Sequence, residues 1–155
     1  MLPKKIAVIG IGNTLRRDDG IGIIVLESLV KFYKREGLDY LNFGSAGFDL
    51  LHRIKLYDKV LLIDGINSGL APGQLKIGKL EDIEYTMDTS LTSTHGLNLK
   101  SIFDMSGQLG IKTTIYVAGI QVKDIAFAEG LSEALNNKKE DIVKNISAFI
   151  DANFI

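Results

Sequence analysis

The chain has 155 residues, with 18 basic and 19 acidic side chains, two histidines and no cysteine or tryptophan. This length predicts one domain over residues 1–155, able to bury ~70% of its unfolded surface without covalent staples. The missing cysteines exclude disulfides, thiolate-ligated metal and thiol nucleophiles, and a net charge of −1 argues against a nucleic-acid partner.

Residues 5–9 are apolar and β-branched, and Gly10 and Gly12 break the run, predicting a short buried strand. The seven-residue apolar stretch 6–12 runs into Arg16, Arg17, Asp18 and Asp19 without a cleavage site, so it does not read as a signal peptide. Asp18 and Asp19 open a helical pattern through Ile21, Ile24, Val25, Leu29 and Phe32, closed by Gly37. A second strand is expected over 39–43, then a turn at Gly44-Ser45-Ala46-Gly47 and a short helix over 48–55. Residues 59–64 give the clearest strand, because Val60-Leu61-Leu62-Ile63 is apolar on both faces, as in a covered parallel sheet.

A loop with Pro72 leads to a weakly alternating strand at 74–80. Periodicity then fails across 81–94, a polar stretch of the kind that often serves function. A helix over 97–109, a strand over 113–120 and one or two helices over 131–154 complete the pattern. Strand alternating with helix implies a three-layer α/β/α sandwich on a twisted, mostly parallel five-stranded sheet. The longest stretches free of charge are eleven residues, 65–75 and 89–99, well short of the ~20 needed to cross a bilayer. A cytoplasmic protein with no membrane contact is the expectation.

Gly10-Ile11-Gly12 between a strand and a helix suggests a dinucleotide loop, but Leu15 replaces the third glycine. The acidic pair Asp18-Asp19 would also occupy the positive helix end that a pyrophosphate needs. Ser45 does not sit in a G-x-S-x-G elbow, and His52 reads as a solvated or packed residue of its short helix. Asp19 after the first strand, Asp64 at the end of the third and His95 after the polar loop form a better set. Exits of parallel strands share one sheet edge, where ligands bind, so the two carboxylates should converge there with His95 joining from the loop. Such an O/O/N set suits zinc, nickel or a similar divalent ion. Two carboxylates ~4 Å apart repel by ~4 kcal/mol at an effective dielectric near 20, which a cation relieves. Each residue also has a plainer role: Asp18 or Asp19 as a helix cap, Asp64 as a turn residue, His95 as a first-turn residue without a ligand.

Gly10-Ile11-Gly12-Asn13-Thr14-Leu15-Arg16-Arg17-Asp18-Asp19-Gly20-Ile21-Gly22 resembles the opening signature of the nickel–iron hydrogenase maturation endopeptidases. The resemblance continues through Gly44-Ser45-Ala46-Gly47, Leu62-Ile63-Asp64-Gly65, Ala71-Pro72-Gly73 and Ser93-Thr94-His95-Gly96-Leu97. It implies an endopeptidase that trims the C-terminal extension of a hydrogenase large-subunit precursor once nickel is inserted. By resemblance, the family's metal ligands fall on Asp19, Asp64 and His95. They would grip nickel carried by the substrate, with zinc or cadmium as surrogates. Many family members carry Asp where this chain has Asn42, which keeps the acceptor and loses the charge. From Ile120 onward the family signature fades. The alternative reading is a noncatalytic nucleotide- or metal-binding module on the same sheet.

Overall fold

The computed structural model describes residues 2–44, 48–86 and 99–155. The expected Gly-Ser-Ala-Gly turn at 45–47 and the 93–97 motif with His95 lie outside the described residues.

Among the described residues, five strands form one sheet: β1 (Ile6–Ile11), β2 (Leu38–Gly44), β3 (Lys59–Ile66), β4 (Leu75–Lys79) and β5 (Thr114–Gln121). Their spatial order is β2-β1-β3-β5-β4, parallel throughout except for β4, which runs antiparallel to β5. The expected mostly parallel α/β architecture is what forms. The helices are α1 (Ile21–Phe32), α2 (Phe48–Ile54), α3 (Leu80–Thr86), α4 (Leu99–Gln108) and α5 (Glu133–Phe154).

Two apolar layers cover the sheet, and strand parity assigns residues to each. On one face Val8, Leu61, Ile63 and Ala118 pack with Ile21, Val25 and Leu29 of α1 and with Ile142, Ile146 and Ile150 of α5. On the other, Ala7, Ile9, Val60, Leu62 and Val117 pack with Leu50 and Ile54 of α2, Leu80 and Ile83 of α3, and Ile102 of α4. Both layers need apolar partners along β1 and β3, which is why these central strands read as unbroken apolar runs rather than alternating ones.

Three local expectations shift. β3 extends two residues past Asp64, so Asp64 lies inside the strand's last turn of register, paired with Gly119 of β5, rather than at its end. The stretch after β4 is not wholly irregular: α3 begins at Leu80 and buries Leu80 and Ile83. Two apolar positions are too few to register as a period in an acidic sequence. The C-terminal segment is one helix, whose N-cap Ser132 accepts from the Leu135 N–H. Among the described residues, no helix is long and apolar enough to cross a membrane.

Candidate functional site

β1 lies between β2 and β3, so the chain leaves β1 toward one side of the sheet and returns to the other. The carboxyl ends of β1 and β3 thus flank a topological switch point, the place where open α/β sheets form their crevice. Both aspartates that the sequence singles out come from these two ends. Asp19 sits in a 3-10 turn, Arg17–Gly20, just before α1, and Asp64 sits near the end of β3. They are 1% and 2% exposed. Carboxylates are rarely withdrawn from water to this degree unless hydrogen-bonded, paired with a charge or ligating.

The glycines of the opening motif explain how the turn reaches β3. A Cβ on Gly22 would stand 2.3 Å from both Ile11 O and Ile63 O, so only glycine lets α1 start in the notch between β1 and β3. A Cβ on Gly12 would meet Asp19 O at 2.3 Å. The 3-10 turn packs against β3, and the Gly65 Cα carries no side chain where Asp18 O and Ile21 approach it. The residues flanking Asp64 are therefore the ones that the Asp18–Gly22 segment rides on. The nucleotide reading is not favoured, because the acidic residues Asp18 and Asp19 stand just before α1, where a pyrophosphate would need a positive helix end.

Asp19 accepts from its own loop. The Asn13 N–H donates to Asp19 Oδ2 at 3.1 Å, and the Asn13 side chain accepts from the Leu15 N–H at 2.9 Å. The Gly-x-Gly-Asn motif thus shapes a turn whose amide faces the carboxylate. On β3, parity puts Asp64 on the face of Val60 and Leu62, the side covered by α2, α3 and α4. Its register partner on β5 is Gly119, over which the Ile66 side chain lies. His95 belongs in sequence to the connection between α3 and α4, outside the described residues.

Two buried polar side chains outside the expected ligand set brace the loops around this crevice. Gln121, at the end of β5, accepts from the N–H groups of Ser68 (2.8 Å) and Leu70 (3.3 Å) through Oε1 and donates to Val122 O at 2.9 Å. It ties the loop after Asp64 to the neighbouring strand. Asp18 is fully buried and accepts from the segment after β5. Neither Asp18 nor Asp19 caps the helix that follows: Gly20 is the N-cap of α1, without a side-chain bond. Nothing in the one-dimensional pattern distinguishes Gln121 from a surface glutamine; only its burial does.

His52 is exposed on α2, as the solvated reading expects. Asn42 is exposed too, and its Oδ1 accepts from the Gly44 N–H at 3.0 Å, where the β1–β2 register shifts. An aspartate would accept the same bond, so the missing charge leaves this turn intact.

Comparison with known proteins agrees with this fold. The family model described as HycI, hydrogenase maturation protease, matches residues 23–148. The chain is 30% identical to the hydrogenase 2 maturation protease of Escherichia coli K12 over 72% of this chain and 70% of that one. Among solved structures, the hydrogenase maturation protease HycI of Thermococcus kodakarensis is 27% identical with a TM-score of 0.73, covering 96% of this chain and 93% of that one. The Escherichia coli hydrogenase maturating endopeptidase HybD shares the fold, with a TM-score of 0.81 at 24% identity over 97% and 94% of the two chains.

Proposed function

Because the chain belongs to the hydrogenase maturation protease family, we propose that it is an endopeptidase acting on the large-subunit precursor of a nickel–iron hydrogenase in the cytoplasm. It would remove a C-terminal extension after nickel insertion. The reaction class is hydrolysis: one water adds across the scissile amide, leaving a carboxylate on the mature subunit and an amine on the released tail.

The observation that carries the site reading is the pair of almost fully buried carboxylates, Asp19 and Asp64, supplied by the ends of β1 and β3 at the switch point. In this proposal they bind the nickel that the precursor already holds, and His95 supplies the third ligand. Two observations support this. Anionic oxygen donors withdrawn from water favour a divalent cation over a neutral partner. The sequence that carries His95 also connects α3 and α4, both packed on the sheet face to which parity assigns Asp64. Binding the metal fixes the precursor's C-terminal bond in the crevice, so the cargo acts as the recognition element and the free enzyme needs no resident ion. Zinc and cadmium, with similar preferences for oxygen and nitrogen donors, would serve as surrogates.

Incubation of the enzyme with nickel-loaded and nickel-free precursor, read by the mass of the large subunit's C-terminus, tests the proposal. Trimming of the loaded form alone is the expected result. Equal trimming of both forms would overturn the metal-handle reading, and trimming of neither would overturn the activity.

A further inference from the structure

We propose that Asp18 is the positioning residue of this site: its buried carboxylate clasps the segment after β5 onto the 3-10 turn and thereby sets the direction of Asp19. The inference rests on the reading of Asp19 as a ligand. Asp18 is 0% exposed. Its Oδ2 accepts from the N–H groups of Lys123 and Asp124, each at 3.0 Å, and from the Ser132 hydroxyl at 2.7 Å. Its Oδ1 accepts from the Ser132 N–H at 2.7 Å. A carboxylate only accepts, and all four of these groups are donors. Three of the donors share Oδ2 and one meets Oδ1, so the carboxylate is committed to residues 123–132, although it neighbours a proposed ligand.

The backbone closes the same clasp. The Asp18 N–H donates to Asp124 O and the Arg17 N–H to Ala128 O, both at 3.0 Å. Between these bonds Arg17 is held at φ +44°, a left-handed conformation that L residues avoid and that must be stabilised from outside. A 3-10 turn advances about 120° per residue, so consecutive side chains diverge. With Asp18 locked toward residues 123–132, Asp19 is directed elsewhere, to the Asn13 N–H. The clasp also fixes the start of α5, because Ser132 both donates to Asp18 and caps that helix.

An acceptor-only group is what the pocket demands. In Asp18→Asn the amide NH2 would face either the Ser132 N–H or the Lys123 and Asp124 N–H groups, whichever way it turns. Donor would then meet donor, at almost unchanged volume.

The test uses the full chain as wild type, Asp18→Asn, Ser132→Ala, Asp19→Asn and Gly37→Ala, the last a strained but remote substitution. Each is measured for thermal melting, amide hydrogen exchange at 123, 124 and 132, affinity for cadmium ion alone by calorimetry, and processing of nickel-loaded precursor. The expectation for Asp18→Asn is a folded protein with faster exchange at those amides and about 10–100-fold lower cadmium affinity and processing, the usual cost of losing a ligand's support. Ser132→Ala should show a smaller loss, about threefold to tenfold, and Gly37→Ala none. Wild-type cadmium affinity and processing in a folded Asp18→Asn, beside their loss in Asp19→Asn, overturn the positioning role while the proposed function stands. Retention of both in Asp19→Asn overturns the ligand reading, and the positioning role with it. Should Asp18→Asn fail to fold, Ser132→Ala decides: lowered cadmium affinity supports the clasp and unchanged affinity overturns it.

Discussion

The two edges of the sheet use the same residue types in opposite ways. At the amino edge Asp58 accepts from the Lys5 N–H at 2.8 Å while exposed to solvent, tying the start of β1 to that of β3. The space around that edge is open, with a cavity of about 640 Å³ beside the start of β5, lined by Lys79, Asp104 and Lys112 among others. At the carboxyl edge Asp18, Asp19 and Asp64 are 0–2% exposed, and backbone packs so closely that only glycine fits at 22. Water does the solvating at one edge; at the other, backbone amides and, in the proposed reading, a cation must do it. Burying a carboxylate costs free energy that turn-making does not require, because Asp58 makes its turn without that cost. Concentration of buried carboxylates at one edge therefore supports the proposal that places the site there.

The largest contrast should appear in activity. Even residues that merely support a metal ligand typically cost about 10–100-fold, so Asp64→Asn or Asp19→Asn should lower precursor processing by about 100-fold or more, with the fold retained. Asp58→Asn should leave processing unchanged and cost about 1 kcal/mol or less of stability. Cleavage rates and melting curves on the same samples check this. If Asp64→Asn and Asp58→Asn process alike, the contrast between the edges has no functional meaning.

Stability should follow the packing. Gly22→Ala forces a methyl against two carbonyl oxygens and should cost about 3 kcal/mol or more. Gly37→Ala, before β2 at the amino edge, meets no atom within 4 Å and carries only its φ of +82°, so about 1 kcal/mol is expected. Urea titration of both variants measures the difference. Similar midpoints would mean that α1 can withdraw from the notch between β1 and β3.

Exposed side chains outside the proposed ligand set should matter little. Asn42→Asp keeps the acceptor for the Gly44 N–H, and His52→Ala removes a solvated ring; each should change stability by about 0.5 kcal/mol or less and leave processing intact. A tenfold loss of processing in either would extend the site beyond the carboxyl edge.

The smallest effect concerns the Arg35–Asp151 pair, 2.9 Å apart on the surface. The hydrogen bond from Arg35 holds the Asp151 carboxyl below its ordinary value of 3.8. A depressed folded-state value stabilises above that ordinary value and is lost as pH falls through the lowered one. The melting temperatures of wild type and Asp151→Asn should therefore differ slightly at neutral pH and converge in strong acid. A gap that widens on acidification would contradict the pairing.

Much of this was legible in the chain. The apolar runs of β1 and β3 report strands covered on both faces, because a parallel sheet buries both sides of its centre, and the glycines at 10, 12, 20 and 22 flank the acidic pair as the site requires. The order of residues also carries the family signature that leads to Asp19 and Asp64. Their placement at a switch point depends on β3 pairing with β1 across from β2, a choice made by long-range packing. The different lives of Asp18 and Asp19 were illegible for the same reason. The two residues are chemically identical and adjacent, and only the arrival of Lys123, Asp124 and Ser132, more than a hundred residues later, makes one a clasp. Sequence fixes which donors and acceptors exist; tertiary structure decides which of them meet, because a buried carboxylate takes its role from whatever replaces its water.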